Sequence, residues 1–87
     1  MSEETLFEFP CQFPIEAMGK NTVSFHSVVL EIVSQHVECI DDECVKTRLS
    51  SGDKFLSVTV TIEATSKKQL DAIYQGLTDH PDVLMSL

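Results

Sequence analysis

Between Leu56 and Ala64 every second residue is apolar: Leu56, Val58, Val60, Ile62 and Ala64 alternate with Ser57, Thr59, Thr61 and Glu63. A period of two places the first set on one side of a β-strand and the second on the other, so the segment predicts a strand with one buried and one wet face. Its β-branched residues suit a pleated surface. Such a strand needs paired neighbours for its backbone groups and a second layer over its apolar side, and the rest of the chain must supply both.

Neighbouring strands are legible on both sides of this segment. Cys44 to Leu49 alternates with Val45, Thr47 and Leu49 inward, and Ser50-Ser51-Gly52-Asp53 forms the hairpin turn, glycine supplying the positive φ. Near the N-terminus Phe13, Ile15 and Ala17 oppose Glu16 and Met18, and Gly19 ends the strand. Pro14 cannot donate to a ladder, so regular pairing is expected from about Ile15. A short last strand is read from the alternation of Val83, Met85 and Leu87.

Two amphipathic helices provide the second layer. Phe25, Val28, Val29, Ile32 and Val33 recur at helical spacing after a candidate cap at Asn21, predicting a helix to about Val37. Ser66 followed by Gln69 is a capping-box signature for a second helix, in which Leu70, Ile73, Tyr74 and Leu77 lead to a stop at His80-Pro81. Gly76 in its last turn signals fraying or close packing. The order βαββαβ predicts a ferredoxin-like α+β sandwich: a four-stranded sheet, both helices on one face, and strands one and three parallel at its centre. No repeat or low-complexity linker divides the chain, so residues 9–87 are expected to be one domain after an acidic lead over residues 1–8, whose Leu6 and Phe7, with Phe9, are expected to dock at the domain edge.

Composition narrows the chemistry. The 87 residues carry 6 Lys+Arg against 14 Asp+Glu, a formal charge of −8, which opposes nucleic acid and anionic membrane as partners. The open sheet face is expected to show Glu16, Met18, Lys46, Arg48, Phe55, Ser57, Thr59, Thr61, Glu63, Leu84 and Ser86, with Glu16 or Glu63 paired to Lys46 or Arg48 across strands. Neither a membrane-spanning run nor a secretory signal is read, and three cysteines fit reduced thiols, so the cytoplasm is the expected compartment.

Candidate chemistry is sparse. His36, Cys39 and Cys44 flank an acidic loop and are the weak candidates for a metal site, although their spacing is non-standard and a fourth ligand is missing. The sole arginine, Arg48, lies in strand two rather than beside strand one where a phosphate-holding loop would need it, and His26, His36 and His80 fall on different elements. Cys11 lacks a basic neighbourhood to activate its thiol. No catalytic set and no cofactor are therefore expected. Gly19, Lys20 and Asn21, between strand one and helix one, form the candidate ligand site, where helix amides and a lysine could hold a small anion or carboxylate. Gly19→Val is expected to abolish binding there with the fold retained.

Phe9-Pro10, Phe13, Met18-Gly19, Ser50-Ser51-Gly52, Ser57-Val58 through Ala64-Thr65, and Val83 to Leu87 together resemble the YbeD-like (UPF0250) family of small bacterial proteins, over roughly residues 9–87. The resemblance implies an ACT-like version of the ferredoxin-like fold, similar to domains that sense amino acids, and a link to lipoate metabolism suggested by gene neighbourhood. It brings no catalytic or metal residues. The expectation is thus a non-enzymatic regulatory domain, an ACT-like sensor of an amino-acid-like small molecule, self-associating as a homodimer through its sheet edge or open face. The alternative is an adaptor with no small ligand, whose acidic lead or Cys39–Cys44 loop meets a basic protein partner; a metal-binding protein is the remote third.

Overall fold

The computed structural model describes residues 8–38 and 40–87. Strand β1 (Cys11–Lys20), helix α1 (Phe25–Ser34), β2 (Val45–Leu49), β3 (Phe55–Ala64), helix α2 (Lys67–Asp79) and β4 (Val83–Ser86) follow one another, with 3-10 turns at Asp42–Cys44 and Ser51–Asp53. The sheet order is β2-β3-β1-β4, as a ferredoxin-like α+β sandwich requires. All three strand pairs are antiparallel. This corrects the expected parallel pairing of strands one and three: the α1 crossover makes β1 and β2 parallel to each other, so β3, which runs antiparallel to β2 through the hairpin, must also oppose β1.

The alternation read from Leu56 to Ala64 sets the core. Val58, Val60, Ile62 and Ala64 are buried beside Ile15 and Ala17 of β1, and Phe25, Val29, Val33, Leu70, Ile73 and Leu77 of the helices close over them. Both helices therefore cover the same side of the sheet. At Gly76 a β-carbon would stand 3.0 Å from Ile32 Cγ2, so this glycine marks close packing of α2 on α1 rather than fraying.

Pro14 does not delay pairing: β1 and β3 are in register from Cys11↔Ala64 onward, with Pro14 opposite Thr61. Glu16 exchanges backbone hydrogen bonds with Leu87 on the β4 side. Alternation turns the nitrogen of Pro14 to that same side, beyond the end of β4, where no described ladder bond is lost. Strand β2 is shorter than expected, because Cys44 belongs to the preceding turn, and Thr47 and Leu49 are exposed although they share the helix-side parity of Val45. Of this edge strand, Val45 packs against the core. In β4 a register shift opposite Met18/Gly19 pairs Met85 with Met18 and Ser86 with Ala17, so Met85 takes the open face and Ser86 the helix side, the reverse of the simple alternation.

Helix α1 starts at Phe25, with Ser24 at its cap position and no side-chain capping bond, and it ends at Ser34 rather than Val37. Helix α2 begins as expected: Ser66 Oγ accepts from the Gln69 amide at 3.0 Å. The Gln69 side chain departs from the capping box, turning to the residue before the cap and to the chain beyond the neighbouring helix rather than to the Ser66 amide. Its Oε1 accepts from the Thr65 amide at 2.8 Å, and its Nε2 donates to the His36 carbonyl at 2.8 Å, tying the end of β3 to the chain leaving α1. Gln69→Glu keeps the acceptor and replaces the donor with an oxygen facing the His36 carbonyl. A loss of about 1 kcal/mol is expected, read as a lower urea midpoint with an unchanged slope.

Candidate functional site

The junction of β1 and α1 is shaped by close approach. Gly19 is buried, and a β-carbon there would overlap the Phe25 ring and come within 2.5 Å of the Asp82 carbonyl oxygen. Gly19→Val is therefore incompatible with an unchanged fold, contrary to the expectation above. Asn21 does not cap α1. Its amide donates to the Lys54 carbonyl and its Nδ2 to the Asp53 carbonyl, both at 3.0 Å, while the Thr22 amide donates to the Lys20 carbonyl at 2.9 Å. The two Asn21 bonds fasten the β2–β3 hairpin to the chain leaving β1, and the Thr22 bond closes a local turn there. Lys20 is exposed and makes no ion pair among the described residues.

The weak metal candidates are not assembled. Cys39 lies outside the described residues, as do Leu6 and Phe7 of the acidic lead. Among the described residues no three His, Cys, Asp or Glu side chains converge to hold a metal ion. His36 instead lines an open groove of about 620 Å³ with Glu38, Glu63 and Gln69, and Cys44 is a half-buried thiol in the turn before β2. Tyr74, partly buried on α2, donates to the Leu87 carbonyl at 2.8 Å, and burial pushes its phenol above the ordinary value of 10.0.

The open face of the sheet is organised in rows by strand register. One row runs Leu87, Glu16, Thr59, Lys46 and the next Met85, Met18, Ser57, Arg48, while Lys20 and Phe55 pair in a third nearer the hairpin. The first two rows thus cross from an apolar edge at the end of β4, Met85 and Leu87, to a basic edge on β2. Met85 is 52% exposed, Leu87 67% and Phe55 37%. A shallow groove of about 430 Å³ lies between Glu16, Lys46, Arg48, Ser57 and Thr59. The expected cross-strand ion pairs do not form: Glu16 and Lys46 both face Thr59 from opposite sides, two strand spacings apart, and Glu63 lies opposite Gln12, beyond the end of β2.

Charge is unevenly spread over the molecule. Of the 6 Lys+Arg, Lys20, Lys46, Arg48 and Lys54 lie on β1, β2 and the hairpin beside this face. The other two, Lys67 and Lys68, open α2, where Lys67 pairs with Asp71 at 2.9 Å. Lys46 and Arg48 have no carboxylate partner among the described residues. The rows were hidden from sequence reasoning because they depend on the β4 register shift; the signal that was available is the spacing Lys46-x-Arg48 on a strand.

Comparison with known proteins agrees with this architecture. A solution structure of protein HP0495 from H. pylori superposes with a TM-score of 0.70 over 93% of this chain and 85% of its own, at 19% identity, a likeness of fold. The UPF0250 protein NE1487 of Nitrosomonas europaea is 48% identical over the whole of both chains. A UPF0250 protein of Paraburkholderia phytofirmans is 48% identical over 97% of this chain and 94% of its own, and one of Chromobacterium violaceum is 46% identical over the full length of both. Residues 4–87 match the model of the family described as a protein of unknown function, DUF493. With this match over nearly the whole chain and these full-length relatives, the chain belongs to the YbeD-like UPF0250 family, whose function is unassigned.

Proposed function

We propose that the chain is a non-enzymatic, regulatory binding domain that docks a protein partner through the open face of its sheet. The observation that supports this reading is the pair Lys46 and Arg48, exposed and without counter-ions among the described residues, on the face that the helices leave uncovered in a chain of charge −8. Cations on an edge strand deter edge-to-edge pairing in any protein, and on an uncovered face they also lend speed and orientation to the encounter with a partner. The reading keeps the adaptor expectation but moves its contact from acidic segments to a basic one.

The small-molecule sensor reading retains Lys20 as a free group, while the Asn21 amide and side chain already serve the hairpin. An open groove also suits a broad partner better than an enclosed ligand. The tie to lipoate metabolism rests on family resemblance and adds no residue to the site.

Native mass spectrometry on protein purified gently from its own cells tests the proposal. A bound protein chain that is lost from the K46E/R48E variant is expected. A defined small mass on a homodimer, with no second protein, would overturn the docking reading in favour of the sensor. A partner retained by the variant would place the contact elsewhere.

A further inference from the structure

We infer that the open face receives an amphipathic helix of a partner protein, acidic on one side and apolar on the other, laid along the strands with its carboxylates over Lys46 and Arg48 and its apolar side over Met85, Met18 and Leu87. This rests on the docking reading and names its partner by chemistry. The register supplies the template: each of two successive rows ends in an apolar residue on β4 or just after it, Met85 or Leu87, and a cation on β2.

Two dimensions agree. Adjacent strands lie about 4.8 Å apart, so the basic and apolar edges are separated by about 14 Å, close to the 10–12 Å width, side chains included, of a helix lying along the strands. Along β2, Lys46 and Arg48 stand two residues apart on one face, about 6.7 Å. Carboxylates at i and i+4 of a helix rise about 6 Å, which brings one to each cation. Beyond these rows Phe55, 37% exposed opposite Lys20, offers an aromatic contact to the next turn.

The same face is poorly suited to single-stranded RNA. Stacking platforms present several aromatic rings, whereas this face holds Phe55 alone among the described residues, and the Glu16 carboxylate lines the groove where a phosphate would lie. A carboxylate there tolerates a helix, whose polar side can present a lysine or an amide to it.

The test is a titration of isotope-labelled full-length protein, followed by NMR, with a synthetic 18-residue helix carrying glutamates at i, i+4 spacing and leucines on the opposite stripe. A scrambled peptide of the same composition and a 12-nucleotide oligouridylate serve as comparisons. Shifts are expected at Lys46, Arg48, Ser57, Thr59 and Met85, with affinity reduced at least tenfold in K46E/R48E, at least threefold in M85S, and weakened by salt. K46Q/R48Q, which introduces no new charge, should lose affinity in the same direction. Equal binding of the scrambled peptide, preferential binding of the oligouridylate, or no shift on this face would each overturn the inference. Loss of the cellular partner from K46E/R48E with no peptide effect on the face would leave the docking reading standing and remove the helix.

Discussion

Replacing Phe25 by alanine is expected to lower the unfolding free energy by about 3–5 kcal/mol, the range for truncating a fully buried aromatic ring. Phe25 is 1% exposed and is the largest of the fully buried side chains, so its removal leaves a void with little access to solvent. Chains of this size have total stabilities of about 5–10 kcal/mol, and the variant should be close to half unfolded in mild denaturant. Urea unfolding followed by circular dichroism measures this directly. Phe25→Leu fills most of the space and should cost roughly half as much; a loss below about 1 kcal/mol for Phe25→Ala would mean that the ring does not support the core.

The second large effect belongs to the residue against which that ring rests. Gly19→Ala is expected to cost about 3 kcal/mol, at the upper end for overpacking a closed site, because the new carbon meets both the Phe25 ring and the Asp82 carbonyl. Neither neighbour is free to move. The ring is enclosed, and the turn holding Asp82 is fixed by its own amide donating to His80 Nδ1 at 3.0 Å and by the Val83 amide donating to the His80 carbonyl at 3.1 Å. In a Phe25→Leu background the alanine should cost less than in the parent, giving a coupling of about 1 kcal/mol in a double-mutant cycle. Simple additivity would show that the Asp82 carbonyl alone carries the clash.

Local pattern made the elements legible, and long-range choices escaped it. The alternation of Leu56 to Ala64 and the helical spacing of Leu70, Ile73 and Leu77 each depend on a single element's exposure, so the strand, the helix and the buried Val58, Val60, Ile62, Ala64, Leu70, Ile73 and Leu77 agree with the structure, whereas Leu56 is only half-buried and Ser57, expected on the wet face, is itself buried. Asn21 failed as a cap because a residue of its type bonds whichever backbone group is nearest, and here the hairpin brings the Asp53 carbonyl within 3.0 Å. The direction of β1 against β3, the placement of Pro14 past the end of β4, and the register shift at Met85 are all decided between segments distant in sequence. The candidate site was legible only as residues, Lys46 and Arg48 among them, and its arrangement in rows needed the sheet. Family resemblance supplied the correct fold and kin, and membership in a family without an assigned role adds no residue to the site.

Strand β4 is held to β1 by a short ladder interrupted by a register shift, continued by the exchange between Glu16 and Leu87. The opposite side of β1 is zipped to β3 without interruption from Cys11 to Lys20. The two flanks of one central strand are therefore expected to open as different cooperative units. In hydrogen-exchange terms, the Glu16 amide, which points at β4, is released by a fluctuation that peels away the last strand, while the amides of β1 that point at β3 wait for global unfolding. A partner lying across Met85 and Met18 would bridge the two units and slow exchange at Glu16 without touching the core.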